Sequence, residues 1–260
     1  MKIVADTHVH FYPCYDTRLA LCLLAQNCGG MAQGGVSAAF LAERYDCNFF
    51  SNLKQGKTGG PGNDFKIRKS GNEDAIVLSV KDAPDLHIFP GRQIVTAERI
   101  EILALTTGTP IPDKLPAREV VQKVIDAGGV PVLCWAPGKW FLERGKIVRG
   151  LIEASEPGRI LIGDTTLRPT LWPEPCLMRF AAEKGLAVIA GSDPLPFAGE
   201  EKYMGTFVSI LEGEFDLTRP VPSIRAVLKS LRGNVARAGK RNGFFEMLRR
   251  LKANGASKAR

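Results

Sequence analysis

"PAREVVQKVIDAGGVPVLCWAP", residues 116–137, sets a helical pattern directly against a strand. Val120, Val121, Val124 and Ile125 recur at helical spacing, Gly128 can cap the helix, and the apolar run from Val130 reads as a buried strand. The unit recurs twice. "GKIVRGLIEASEPG" (145–158) precedes "RILIGDTT" (159–166), and "PEPCLMRFAAEKG" (173–185) precedes "LAVIAGSDP" (186–194). Three helix-to-strand units with nearly continuous apolar strands predict a parallel sheet covered by helices.

Working outward, residues 2–10 supply a further strand. "DTRLALCLLAQNCGG" (16–30) follows as a helix with Asp16 as N-cap and the glycines as its stop. "AAFLAERYDCNFFSNL" (38–53) and "FKIRKSGNEDAIVLSV" (65–80) flank the turn-rich "KQGKTGGPGN" (54–63) and are expected to pair as a long β-hairpin insertion. "GKT" at 56–58 reads as a turn, because a phosphate-binding loop needs a glycine where Ser51 stands, a strand before it and a helix after it. "LHIFPGRQIVT" (86–96) and "RIEILALTTG" (99–108) read as two strands, and "VPSIRAVLKSLRG" (221–233) as a helix. At 260 residues the chain suits one α/β barrel of about 250 residues.

The net charge of +8 is local. Residues 232–260 hold nine Lys/Arg and one acid, whereas residues 1–231 hold 26 of each sign. The expected organisation is a neutral domain over 1–231 and a basic helix and tail over 232–260. In "GFFEMLRRLKANG" (243–255), Phe244, Met247, Leu248 and Leu251 form one helical stripe with arginines opposite. That predicts a docked terminal helix with a solvated basic face; a nucleic-acid or membrane patch is the alternative. No run of about 18 apolar residues and no signal-peptide pattern is present, so a cytoplasmic protein is expected. The six cysteines show neither C-x-x-C nor zinc-finger spacing, which argues against a disulfide framework or structural zinc.

In parallel α/β architectures ligands gather at the carboxyl ends of strands. That rule selects Asp6, His8 and His10 from the first strand, Cys134 to Ala136, Asp164, and Ser192-Asp193. With strict alternation, residues 6, 8 and 10 share one face. Two imidazoles so placed can ligate a divalent ion with Asp193 as the carboxylate; the alternative is a hydrogen-bonded interior pair without metal. Asp164 is a ligand, a general base or a helix cap. Arg92, Lys139 and Arg168 follow strand segments and are either anion-binding groups or surface charges. Cys134 reads as a buried thiol, and His87 as an exposed or hydrogen-bonded side chain.

"DTHVH" (6–10), "FPGRQIVTAERIEILALTTG" (89–108), "GGVPVLCWAPG" (128–138) and "LAVIAGSDP" (186–194) resemble, in order and rough spacing, the PHP family of polymerase-and-histidinol-phosphatase metal-dependent hydrolases. The resemblance implies a TIM-like distorted (β/α)7–8 barrel, up to three metal ions, and phosphoester hydrolysis by metal-activated water. Three ligands the family would have are replaced, by Gln93, Ala136 and Leu195. Asp6, His8, His10 and Asp193 carry over, which implies a reduced site.

The expected function is therefore a PHP-like metal-dependent hydrolase, a phosphoesterase acting on a small anionic, phosphorylated substrate. His8, His10 and Asp193 would hold Zn, Mn or Fe, Asp6 or Asp164 would take the proton, and Arg92, Lys139 and Arg168 would hold the anion. An amidohydrolase-like barrel acting on an amide or lactone is one alternative. A catalytically degenerate barrel serving as a binding or regulatory module is the other.

Overall fold

The computed structural model describes residues 1–58, 65–70 and 74–258. The chain opens with β1 (Lys2–Val9), α1 (Thr17–Ala32), β2 (Val36–Leu41) and α2 (Phe49–Lys54). Four strands follow: β3 (Phe65–Lys69), β4 (Ile76–Val80), β5 (Leu86–Phe89) and β6 (Gly91–Val95). The αβ units run from β7 (Glu101–Leu105) through α3 (Ala117–Asp126), β8 (Val130–Cys134), α4 (Leu142–Glu153), β9 (Leu161–Thr165), α5 (Cys176–Glu183) and β10 (Val188–Gly191). Beyond them lie β11 (Phe207–Glu212), α6 (Pro220–Ser230), β12 (Ala236–Gly239) and α7 (Phe244–Lys258). Among the described residues no helix is long and apolar enough to cross a membrane.

The strands form two sheets, ordered β12-β11-β1-β2-β5-β4-β3 and β10-β9-β8-β7-β6. The expected distorted barrel takes the form of two sheets, neither of which closes on itself among the described residues. They meet at two seams. At one, Asp193 N–H donates to the His8 carbonyl at 2.9 Å and Thr7 Oγ1 to the Ala190 carbonyl at 2.9 Å. At the other, Glu43 N–H donates to Gly91 O at 3.1 Å and Gln93 N–H to Glu43 O at 2.8 Å. Gly191 is required at the first seam, because a Cβ there would stand 2.5 Å from the His8 backbone nitrogen.

Burial accounts for this arrangement. Ile3, Ala5, Phe40, Leu103, Val132, Leu161 and Ile189 from both sheets share one core, packed with Ile224, Val227 and Leu228 of α6. The opposite faces of β1, β2, β4 and β5 pack on α1, and those of β6 to β10 on α3, α4 and α5. Each such side chain contributes roughly 1.5–3 kcal/mol when buried, which locks the register of every strand.

β1 breaks the alternation the sequence implies. Asp6 pairs with Ala39 and Val9 with Leu41, three steps on β1 against two on β2, so one extra residue bulges between them. Val4 and Val9 consequently both face α1, while Ile3 and Ala5 face the shared core.

Three local expectations need correcting. The hairpin is short, β3 against β4 from Phe65↔Val80 to Lys69↔Ile76, whereas β2 runs parallel to β1 and β5. Much of the turn at 54–63 lies outside the described residues; Gly56–Thr58 follow a helix, α2, and not a strand. Pro90 divides "LHIFPGRQIVT" into β5 and β6, which belong to different sheets. Gly29 and Gly30 do not stop α1, which continues to Ala32; Gly29 is a notch in which a Cβ would meet Pro84 at 2.5 Å. The Asp16 cap is present, its side chain accepting from Arg18 and Leu19 N–H at 3.0 Å.

The C-terminal segment is woven into the body. β12 pairs antiparallel with β11, and α7 buries Met247 and Arg250. Phe244 and Leu248 of the expected apolar stripe stay about half exposed, at 47% and 45%.

Candidate metal centre

The bulge turns His8 and His10 inward at the end of β1. Their Nε2 atoms lie 3.0 Å apart, and His8 Nε2 is 3.1 Å from Gln93 Oε1. Asp193 Oδ1, just beyond β10, is 3.5 Å from His8 Nε2 and 3.7 Å from His10 Nε2. Among the described residues, His8, His10 and Asp193 are the one grouping of three or more His, Cys, Asp or Glu side chains with converging ligand atoms.

These separations are those of donors around a cation. Atoms bound at about 2.0–2.2 Å to one tetrahedral ion lie roughly 3.3–3.6 Å apart, and roughly 3 Å apart at right angles. Two ring nitrogens and two side-chain oxygens so close together have few protons with which to satisfy one another. The set of two imidazoles, a carboxylate and an amide oxygen suits Zn, Mn or Fe.

The surroundings orient these donors. Burial together with the adjacent His8 ring holds His10 well below the ordinary imidazole value, which favours its neutral form. His8 Nδ1 lies 3.7 Å from the Cys134 sulfur. Burial raises that thiol well above its usual range, which removes its nucleophilic character. Asp193 adopts a left-handed φ of 49° and is held by its N–H on His8 O and by Arg250, whose Nη2 donates to Asp193 O at 3.2 Å. Burial raises the Asp193 carboxyl, with His8 opposing that shift.

A cavity of about 370 Å³ opens onto the centre. His10, Gln93, Glu101, Lys139 and Asp193 line it, with Leu251 and Asn254 of α7. Lys139 Nζ is 3.2 Å from Glu101 Oε1. Ala136 and Leu195 are in the wall, so the positions where the family resemblance implied further ligands are apolar. Gln93 nonetheless presents an oxygen to His8.

Apart from Lys139, the structure does not bring the other sequence candidates to this centre. Asp6 lies on the α1 side of the bulge, its oxygens accepting from the N–H groups of His8 (3.2 Å), Ser192 (2.9 Å) and Gly205 (2.9 Å). Burial raises its carboxyl to about 6 against the pull of those hydrogen bonds. Asp164 follows Ile162 onto the helix-covered face of β9 and is held by Arg168, Nε to Oδ1 at 2.8 Å and Nη2 to Oδ2 at 2.5 Å, and by Arg237 at 2.8 Å. Arg92 shares the outward face of Ala104; it donates to Cys47 O and Gly108 O and pairs with Glu43 at 3.5 Å. Of the proposed anion-binding residues, only Lys139 lines the cavity.

Glu101 and Arg44 are cavity residues that strand-end reasoning missed. β7 runs antiparallel to β8, with Glu101 opposite Cys134, so the beginning of that strand lies at the mouth. The signal for Glu101 was its shared parity with Leu103 and Leu105.

No protein-family model and no curated sequence matches the chain. Solved structures do. PsfC from Pseudomonas syringae PB-5123 is 15% identical with a TM-score of 0.58, over 99% of this chain and 98% of that one. The lesion-specific endonuclease PfuEndoQ from Pyrococcus furiosus is 13% identical with a TM-score of 0.51, over 92% of this chain but only 59% of its own. A two-domain protein from Bacteroides vulgatus ATCC 8482, containing a predicted PHP-like metal-dependent phosphoesterase, is 12% identical with a TM-score of 0.52, over 98% of this chain and 70% of that one. At these identities the likeness is one of architecture alone: the chain shares the fold of these structures, one of which contains a predicted PHP-like phosphoesterase.

Proposed function

We propose that this protein is a metal-dependent hydrolase of small phosphoesters, working with a divalent ion held by His8, His10 and Asp193 and faced by Gln93. What supports the reading is the convergence of four donor atoms, within 3.0–3.7 Å of one another along the contacts described, beneath a cavity that also holds cationic side chains. The fold shared with the two-domain Bacteroides vulgatus protein that contains a predicted PHP-like metal-dependent phosphoesterase agrees with it.

A bound divalent ion would supply Lewis acidity and a water of lowered pKa. Lys139 and Arg44 line the cavity and would hold an anionic group by charge. Glu101, oriented by Lys139 at 3.2 Å, is the carboxylate placed to take a proton from the nucleophile. Leu167, Leu195 and Leu251 restrict water around the reacting group.

Elemental analysis of protein purified without chelator tests the centre. About one Zn, Mn or Fe per chain is expected, collapsing on His8→Ala and on Asp193→Ala while the circular dichroism stays unchanged. Turnover of phosphomonoesters and phosphodiesters against a panel of lactones then tests the substrate class. A folded wild-type chain that takes up no ion would remove the reading, and lactone turnover alone would move the protein to the amidohydrolase class.

A further inference from the structure

We propose that α7 belongs to the machinery of the metal centre, with Arg250 as a positioning residue that fixes the loop bearing Asp193. The inference rests on the metal reading in taking Asp193 as a ligand. Arg250 is a helix-surface residue by sequence, yet it is 1% exposed. Its Nε and Nη2 donate to Glu200 at 2.6–3.0 Å, its Nη1 to Thr166 Oγ1 at 2.8 Å, and its Nη2 to Asp193 O at 3.2 Å. Its guanidinium stacks over Tyr203 at 4.1 Å.

Each hydrogen-bond partner leads back to residues 192–195. Thr166 Oγ1 donates to Ser192 O at 2.6 Å, and Leu195 N–H donates to Glu200 Oε2 at 3.0 Å. One planar cation thereby holds Ser192 through Thr166, Asp193 directly, and Leu195 through Glu200. Such restraint fixes the left-handed φ of 49° at Asp193, a conformation that aspartate adopts more readily than most residues but less readily than glycine. The next turn of α7 places Leu251 and Asn254 in the cavity wall. Helix docking and ion binding therefore act on the same loop, and a coupling between two such equilibria is reciprocal: the ion must steady the helix as much as the helix favours the ion.

The test uses the full-length protein with Zn2+ or Mn2+ alone as the probe. Removing only Arg250 strands the buried Glu200 carboxylate, so Glu200→Gln/Arg250→Met removes both charges together and keeps the volume. This variant is expected to remain folded and to bind the ion about 10- to 100-fold more weakly, the usual loss when a residue supporting a ligand is changed. Val148→Ala, a cavity in the core around α3, α4 and α5, is the control for lost stability alone and should bind as wild type does. Hydrogen–deuterium exchange of amides 244–256 should slow when the ion is added to wild type and stay unchanged when it is added to the double variant. Wild-type affinity in the double variant, or ion binding that leaves α7 exchange untouched, overturns the coupling while leaving the metal reading intact. A wild-type chain that binds no ion overturns both.

Discussion

Arg168 and Asp164 form a two-point guanidinium–carboxylate pair, Nε to Oδ1 at 2.8 Å and Nη2 to Oδ2 at 2.5 Å, on the face of β9 turned away from the cavity. Both side chains are at most 5% exposed, and Arg237 adds a second cation at 2.8 Å. The candidate proton acceptor Asp164 and the candidate anion-binding Arg168 are thus joined to each other in a unit that ties β9 to the C-terminal segment.

Asp164→Asn should therefore cost stability and leave the metal centre intact. Breaking one side of a buried ion pair typically costs about 3–5 kcal/mol, because a charge is left without its partner. A large fall in melting temperature with unchanged ion stoichiometry below the transition is the expected result. Loss of the ion at unchanged stability would return Asp164 to the site.

Glu246 gives a pH signature for the docking of α7. Arg249 and the Tyr203 hydroxyl donate to its carboxylate and hold it down to about 2 from an ordinary value of 4.5. A carboxyl depressed in the folded state contributes stability that is complete above 4.5 and fades as pH falls toward 2. Arg249 is exposed to solvent, so water screens the pair and its contribution is small. Glu246→Gln should lower the melting temperature slightly at pH 7, and the gap from wild type should narrow between pH 4.5 and 2. A gap that widens on acidification would contradict the assignment.

What could be read in advance follows strand parity and strand direction. The αβ units from α3 to β10 were legible because their periodicity and strand signals were long and uninterrupted, and His8, His10 and Asp193 because they stand at parallel strand ends. Asp6 was placed beside the histidines by strict alternation, which the bulge before Val9 reverses. Such a bulge depends on pairing with β2 and leaves no mark in β1 alone. Arg92 and Asp164 occupy strand ends but have outward parity, whereas Glu101 has inward parity but begins an antiparallel strand. Arg250 was hidden because hydropathy assigns arginine to solvent, whereas partners distant in sequence, above all the buried Glu200 carboxylate 50 residues away, satisfy it in the interior.

Gln93 offers a test of the centre by gain rather than loss. Its Oε1 lies 3.1 Å from His8 Nε2, in position to face an ion but without charge. Gln93→Glu replaces one oxygen donor with an anionic one at nearly constant shape, and ion affinity rises with the charge of the ligand set. Tightening on the order of tenfold or more is expected for Zn2+ or Mn2+. Without the ion the same change sets a second carboxylate near Asp193 in a buried site, so the metal-free variant should melt below wild type and the metal-loaded one above it. This opposite movement of two melting temperatures, measured by differential scanning calorimetry with and without the ion, separates a ligand position from a merely buried one. If both forms shift in the same direction, Gln93 is a hydrogen-bond partner of His8 and the ion has three protein ligands.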